Sequence, residues 1–293
     1  MFYRQKILLA LTELCGRSSQ NTDLQKLLFL FCQETGENHY DFFPYKFGAF
    51  SFVSYDDKRK LIEQGHLKDT AHFELASNTS YLNQLKAKDR ADILAFAQKT
   101  QNLRGRTLIR KTYLEYPKYA TRSTIANTIL TSEEQDKVKA DWNDEKCSAL
   151  FSIGYEGKSI DEYLRCLILN NVNVLLDVRR NPFSRKHGFS QKQMKRYLES
   201  AGIQYTHLPE LGIASHLRKN LDDKASYEAL FAHYSANVLS NQSGALCKIM
   251  NFLEEYKRVA LTCFEADPSM CHRHKVTEAL NEDPRFSYPI IHL

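Results

Sequence analysis

VNVLLDVR, residues 172–179, decides the fold of the second half of this chain. Apolar residues fill the segment almost without interruption, and an aspartate and an arginine stand at its end. A short continuous apolar run is typical of a strand that is buried on both faces, as in a parallel sheet. The segment therefore predicts a buried parallel strand with charged side chains at its carboxyl end.

Similar segments recur on both sides of it, with helical patterns between them. Apolar strands that alternate with helices predict an α/β fold with a parallel, Rossmann-like sheet and helices on its faces. We expect this domain to span residues 147–293. The other expected strands are ALFSIGY (149–155), IQYTHLP (203–209), RVALTCFE (258–265) and YPIIHL (288–293).

The first half of the chain has a different pattern. Apolar residues recur at helical spacing over residues 3–16 and 22–35, and a third helix is expected to stop at Gly65. These helices and a small hairpin predict a mostly helical, winged-helix-like domain over residues 1–76. Residues 77–146 are expected to form a helical, basic connector.

The pattern LQKLLFLFCQE…FFPYKFGAFS…LIEQGHL, within about the first 75 residues, resembles the Panacea type of antitoxin domain. The resemblance implies a module that contacts DNA or another protein, and it names no catalytic residue. We therefore expect a protein partner for the N-terminal domain.

Composition limits the classes of function. No apolar run reaches the roughly 18 residues that a membrane span requires, and the first residues lack a signal-peptide pattern. Seven cysteines at irregular spacings favour a reducing compartment over a disulfide framework. We expect a cytoplasmic protein without membrane contact. The glycine-rich signatures of dinucleotide and P-loop sites are absent from the sequence, so no cofactor is expected.

Positive charge is concentrated in two stretches. Residues 99–122 contain seven Lys or Arg residues and one Glu, and residues 179–196 contain seven Lys or Arg residues and no acid. Such stretches attract a nucleic-acid backbone, although ordinary solvated surfaces also carry them. The residues expected to bind nucleic acid, with DNA as the expected type, are Arg104, Arg106, Arg110, Lys111, Lys192, Lys195 and Arg196.

Polar side chains follow each expected strand of the sheet. Ligands of open α/β sheets bind beyond the carboxyl ends of the strands, where loops and helix N-termini converge. Asp177 and Glu265 end two strands, and they either pair with arginines for structure or act as general base and acid. The residues expected to bind substrate there are Tyr155, Glu156, Arg179, Arg180, Ser184, Arg185, Glu210, His272 and Arg273.

The segment TCFEADPSMCHRHK, residues 262–275, combines thiols and imidazoles. Ligand pairs of structural zinc sites usually lie two to four residues apart, and C-x7-C-H-x-H does not fit, so no metal is expected. Cys263 is expected to be a small buried residue of its strand. Cys271, the third catalytic candidate with Asp177 and Glu265, is either an activated thiolate or a buried structural thiol.

Four segments of residues 148–293 resemble, in order, the domain-of-unknown-function family 488. They are SIGYEGKSIDEYL, LLDVRRNPFSRKHGFS, GIQYTHLPELG and CFEADPSMCHR. The most specific element is C-x-E-x-D-P-x-x-C-H-R, which begins at Cys263 and ends at Arg273. The resemblance implies the fold and the location of a site but no reaction. The segment ELGIAS departs from the family pattern, which usually has a second glycine there.

These observations favour a nucleic-acid-directed enzyme. Two carboxylates without a metal-ligand pattern favour hydrolysis of the glycosidic bond to a normal or modified base. Tyr155 would then stack on an extruded base. The Panacea-like half suits a role in bacterial defence against phage. The alternative is a non-enzymatic, antitoxin-like regulator that binds a nucleotide or nucleic acid through its second domain and a partner protein through its first.

Overall fold

The computed structural model describes residues 1–140, 147–218 and 224–293. Contacts within the chain divide it into two units, Met1–Asn143 and Asp144–Leu293. Within the described ranges, no helix combines the length and the apolar character that crossing a membrane requires.

The first unit is mostly helical, as its periodicity predicts. Its helices are α1 (Tyr3–Leu14), α2 (Asn21–Thr35), α3 (Phe52–Glu63), α4 (Ala87–Thr100), α5 (Gly105–Glu115), α6 (Ala126–Ile129) and α7 (Ser132–Ala140). Two short antiparallel pairs accompany them: β1 (Ser18–Ser19) with β4 (Phe73–Glu74), and β2 (Phe43–Tyr45) with β3 (Gly48–Phe50).

The core of this unit joins residues from both sides of the expected boundary at residue 76. Leu8 of α1 and Phe31 of α2 belong to one buried cluster with Ile93 and Phe96 of α4. Burial of such side chains is the main stabilising contribution to helix packing. Residues 77–140 therefore lie within the first unit and not apart from it.

The second unit is an α/β domain. Its strands are β5 (Ala149–Gly154), β6 (Val174–Asp177), β7 (Gln204–His207), β8 (Arg258–Cys263) and β9 (Ile290–His292). Its helices are α8 (Ile160–Leu169), α9 (Gln191–Ser200), α10 (Lys224–Asn237), α11 (Ser243–Tyr256) and α12 (Arg273–Asn281).

All strands of the sheet are parallel, in the order β7-β6-β8-β5-β9. The predicted α/β fold with a Rossmann-like sheet is confirmed. Every residue of β5, β6 and β8 is buried, which explains why their sequences are continuous apolar runs and not alternating ones. Because β8 lies between β6 and β5, the loops after these three strands meet at one edge of the sheet.

Helix α8 shows how the sequence places a helix against this sheet. Ser159 is its N-cap, and the hydroxyl accepts a hydrogen bond from the backbone N–H of Glu162. Ile160, Tyr163 and Leu164, at helical spacing, are buried. The Tyr163 hydroxyl donates to Thr262 Oγ1 at 2.7 Å, which ties the helix to β8.

Candidate functional site

A cavity of about 540 Å³ opens beside the carboxyl ends of β5, β6 and β8. Four arginines and no acidic residue are among the described residues that line it. The lining consists of Tyr155, Arg179, Arg180, Asn181, Phe183, Ser184, Arg185, Ile213, Arg218, Cys263 and Phe264. The charge of this lining favours an anionic ligand.

The cavity also carries exposed aromatic surface. Phe183 is 71% exposed and Phe264 is 42% exposed. Tyr155 is only 3% exposed, and its ring is stacked on Phe189 with centroids 4.4 Å apart. The rings that are open to a stacking ligand are therefore those of Phe183 and Phe264, whereas Tyr155 mainly supports the wall of the cavity.

Asp177 and Arg179 form a buried ion pair. The Arg179 guanidinium donates to both carboxylate oxygens of Asp177, at 2.8 and 2.5 Å, and the Tyr205 hydroxyl donates to Oδ2 at 2.7 Å. Arg179 also donates to the Tyr155 hydroxyl and to the Phe189 carbonyl. Asp177 has no exposed surface. These contacts support the structural alternative for Asp177 and make Arg179 a positioning residue.

Glu265 has a more open environment. Its side chain is 20% exposed, with Oε1 3.5 Å from Arg218 Nη1 and Oε2 3.4 Å from Cys263 Sγ. Partial burial, followed by the negative charge of Cys263, raises the pKa of Glu265. Of the two carboxylates predicted to act in catalysis, Glu265 is the one that a substrate can reach.

Cys263, Cys271 and His272 form a buried cluster beneath the cavity. The Sγ atoms of Cys263 and Cys271 lie 3.6 and 3.9 Å from His272 Nδ1. A hydrogen bond from the Cys271 thiol, together with the neighbouring His272 ring and the positive charge of Arg218, lowers the pKa of Cys263. Burial and the neighbouring Cys263 raise the pKa of Cys271. The thiol with the lowered pKa is therefore that of Cys263 and not that of Cys271, the catalytic candidate predicted from the sequence.

Arg273 holds the loop that carries Glu265. Its Nη1 and Nη2 donate to the carbonyls of Glu265 and Ala266 at 2.5 and 2.9 Å, and its Nε donates to Ser152 Oγ at 3.3 Å. The residue is fully buried. Arg273 thus acts on backbone carbonyls, and its contacts support a positioning role more than the expected contact with substrate.

Close backbone approaches fix the neighbouring loops. A Cβ added at Gly154 would lie 1.8 Å from the Glu265 carbonyl oxygen, and one added at Gly212 would lie 2.1 Å from the Arg180 nitrogen. Both distances are far shorter than a van der Waals contact. Glycine at position 154 therefore allows the Glu265 loop to pack directly on the end of β5.

Replacing Gly154 by Ala is expected to displace the Glu265 loop and to destabilise the protein by about 1–3 kcal/mol, the usual cost of overpacking. Chemical denaturation followed by circular dichroism measures the loss. The matched control is Gly244→Ala in α11, where an added Cβ meets no atom within 4 Å. A Gly154→Ala protein as stable as the control would contradict this reading of the loop.

Of the other residues predicted to bind substrate, three line the cavity and two do not. Arg180, Ser184 and Arg185 line it. Glu156 accepts a hydrogen bond from the Ala266 N–H at 3.0 Å, so it supports the same loop as Arg273. Glu210 pairs with Lys248 at 2.9 Å and is not part of the cavity lining.

Several residues predicted to bind nucleic acid have partners within the protein. Arg110 pairs with Glu134, and Lys111 with Glu115. Arg104 donates to the carbonyls of Thr100 and Leu103, and Arg106 donates to the Thr128 carbonyl. Lys192, Lys195 and Arg196 are exposed on α9, and Lys195 lies 3.7 Å from Glu199. The exposed cations of α9 and of the cavity are thus the stronger candidates for phosphate contact.

Sequence reasoning missed Arg218, Phe183 and Phe264 as site residues. Phe264 could have been predicted as a site residue, because it directly follows a buried strand and stands at the sheet edge where ligands bind. Phe183 lies in the basic segment that was already singled out. Arg218 follows no motif, and only the folded chain brings it next to Glu265 and His272.

These features define an α/β domain whose candidate active site, at the carboxyl edge of a Rossmann-like sheet, contains arginine, carboxylate, thiol and imidazole groups. Residues 159–280 match a family model described as "Domain of unknown function DUF488". The matched residues lie within the C-terminal unit, and this confirms the resemblance predicted for that half. Comparison with curated proteins and with solved structures finds no match. The resemblance of the N-terminal half to Panacea domains stays a prediction.

Proposed function

We propose that the protein is a nucleic-acid-directed hydrolase, and that its C-terminal unit cleaves the glycosidic bond between a nucleotide sugar and its base. The observation that carries this proposal is the composition of the cavity, which is lined by arginines and exposed phenylalanine rings. Glu265 is not part of the lining, but its Oε1 lies 3.5 Å from Nη1 of Arg218, which is. An anionic group with an attached planar ring matches those two kinds of surface.

Phosphate recognition would come from the exposed arginines of the cavity. Arg180 and Arg185 are exposed, and Arg180 makes one hydrogen bond, at 3.2 Å, to the Pro209 carbonyl. Guanidinium groups match phosphate oxygens with two parallel hydrogen bonds. Arg179 would not take part directly, because its guanidinium is committed to Asp177, Tyr155 and Phe189.

Base recognition would come from Phe183 and Phe264. Stacking of a base on an aromatic side chain contributes about 1–3 kcal/mol and tolerates any base. An enzyme that acts on a base must first take it out of the helical stack, and an exposed ring beside the reactive group compensates part of that cost.

Glu265 would transfer the proton in the reaction. The bond between the sugar C1′ and the base nitrogen breaks, and the electron pair leaves with the base, which takes up a proton. A water molecule adds to C1′ and releases a proton, so the sum is one water consumed and one free base released. Because Asp177 is buried in an ion pair, Glu265 would act in this step alone of the two predicted carboxylates.

Mass spectrometry tests the choice of bond. The full chain is incubated with single- and double-stranded DNA and with RNA that contain normal and modified bases. Release of free base supports the proposal. Shortened strands with intact nucleotides would show that the protein cleaves phosphodiester bonds and not glycosidic bonds. Nucleic acid that stays unchanged under all conditions would contradict the proposed hydrolase activity.

The burial of Asp177 also favours a second candidate, the non-enzymatic regulator. Such a protein needs the anion-binding cavity but no pair of reactive carboxylates. It would bind nucleic acid through Arg180 and Arg185 and release no product. A binding signal without product formation would identify this alternative.

We expect binding to DNA to weaken steeply with salt, because each phosphate contact lowers log K by about 0.9 per decade of salt concentration. Replacing Arg180 and Arg185 by Ala should reduce that slope by about one to two units. Fluorescence anisotropy over a salt series measures it. The control is Arg285→Ala, whose guanidinium pairs with Asp283 and is not part of the cavity lining. If the affinity of the unmodified protein for DNA does not change with salt, the proposal that it binds nucleic acid is wrong.

A further inference from the structure

The ligand atoms of Cys263, Cys271 and His272 are already spaced for a metal ion. The two Sγ atoms and Nδ1 all lie within 4.8 Å of one another, and the two sulfur-to-nitrogen distances are 3.6 and 3.9 Å. Tetrahedral zinc, with Zn–S about 2.3 Å and Zn–N about 2.0–2.1 Å, holds neighbouring sulfur and nitrogen ligands about 3.6 Å apart. The cluster needs little movement to reach this geometry.

The imidazole of His272 is oriented as in a metal ligand. Its Nε2 lies 3.1 Å from the Val178 carbonyl oxygen, and since a carbonyl only accepts, Nε2 carries the proton and donates it. Nδ1 therefore presents a lone pair toward the two thiols. A hydrogen bond from the ring nitrogen that does not bind the metal fixes the tautomer of most metal-binding histidines. His272 is 1% exposed, so the ring is held in this orientation by packing.

We propose that Cys263, Cys271 and His272 bind one zinc ion and leave its fourth coordination position open next to the cavity. Three protein ligands with one open position are typical of catalytic zinc sites, and a set of two thiolates and one imidazole is a known form of them. Cys263 lines the cavity, which gives the ion access to a ligand. Glu265 stands beside the cluster, with Oε2 3.4 Å from Cys263 Sγ.

The surrounding charges fit a bound zinc ion. Two thiolates neutralise Zn²⁺, so the loaded cluster has no net charge and its burial is not opposed by an uncompensated ion. Arg218 Nη2 donates to His272 Nδ1 at 3.1 Å and would have to give up this bond, because one lone pair cannot serve both. Its other contact, Nη1 to Glu265 Oε1 at 3.5 Å, can remain.

The sequence spacing of these residues predicted no metal, because ligand pairs of structural zinc sites usually lie two to four residues apart on one loop. Here Cys263 ends β8, whereas Cys271 and His272 precede α12, so the ligands come from two parts of the fold. The connecting loop returns to the strand end and brings the two parts together. His274 does not belong to this cluster of ligand atoms, and its Nδ1 contacts the Cys271 carbonyl.

Metal analysis of the full chain tests the inference. The protein is purified under reducing conditions without a polyhistidine tag, exposed to zinc and dialysed, and its zinc content is measured by mass spectrometry. About one equivalent per chain is expected, with a loss of thermal stability when a chelator removes it. Replacement by cobalt should give the thiolate charge-transfer and visible bands of a tetrahedral site. A folded, reduced protein that retains no zinc overturns the inference.

Matched variants locate the ion. Cys263→Ser, Cys271→Ser and His272→Gln should each lose most of the zinc, whereas Cys247→Ser and His274→Gln should keep it. Near-ultraviolet circular dichroism identifies variants that remain folded, and only these are compared. Full zinc content in folded Cys263→Ser and Cys271→Ser proteins would overturn the assignment. The zinc site and the proposed hydrolysis are tested separately. A protein that binds zinc but forms no product would contradict only the hydrolase proposal, and an active protein that binds no zinc would contradict only the zinc site.

Discussion

Replacing Glu265 by Gln is expected to lower turnover by about a hundredfold or more and to leave affinity for nucleic acid nearly unchanged. Glutamine has the shape of glutamate and keeps a hydrogen bond to Arg218, but it cannot exchange a proton with water or with a leaving base. The cavity arginines and phenylalanines, which would provide most of the binding, are untouched. Product release under single-turnover conditions and anisotropy on the same substrate measure the two quantities.

The control for this variant is Glu278→Gln on α12, where the carboxylate pairs with Lys275 on the surface. It changes the net charge by the same amount, so a general electrostatic effect on binding would appear in both proteins. Full product formation by Glu265→Gln would exclude Glu265 as the proton-transfer group. Cys271→Ser adds a further distinction, since we expect this buried thiol to be a metal ligand and not a nucleophile, so that its loss reduces mainly zinc content and stability.

The sheet could be predicted from the sequence because its signal is local. Each of the segments VNVLLDVR and RVALTCFE is apolar over the length of one strand, which is the pattern typical of a strand buried on both faces. The location of the site followed from the same reasoning, because the carboxyl ends of parallel strands share one edge. The order of the strands did not follow, since it depends on which distant segments pair.

The roles of the site residues could not be predicted from the sequence either, because they depend on contacts between segments that are far apart in the chain. Asp177 and Glu265 look alike as carboxylates after a strand, yet one is enclosed by Arg179 and Tyr205 and the other is partly exposed. Which of them is buried depends on loops that are far apart in the chain. The cluster of Cys263 with Cys271 and His272 was likewise hidden, because sequence spacing does not show how a loop folds back on the strand that precedes it.

Replacing Arg179 by Met is expected to destabilise the protein by about 3–5 kcal/mol, the usual cost of leaving one member of a buried ion pair without its partner. Asp177 would keep the hydroxyl of Tyr205, but both guanidinium contacts to its oxygens would be lost. Urea denaturation monitored by circular dichroism gives the free energy of unfolding. The double variant Asp177→Asn with Arg179→Met should recover much of the loss, since no unpaired charge stays buried.

The comparison of the single and double variants separates the ion pair from packing. Arg179 also donates to the Tyr155 hydroxyl and the Phe189 carbonyl, and both variants lose these contacts equally. Any recovery in the double variant therefore measures the cost of the isolated Asp177 carboxylate. Equal destabilisation of the two proteins would contradict the ion-pair account and would show that Arg179 acts mainly through Tyr155 and Phe189. The exposed pair of Arg285 and Asp283 provides the control, because screening by water should make Arg285→Met nearly neutral.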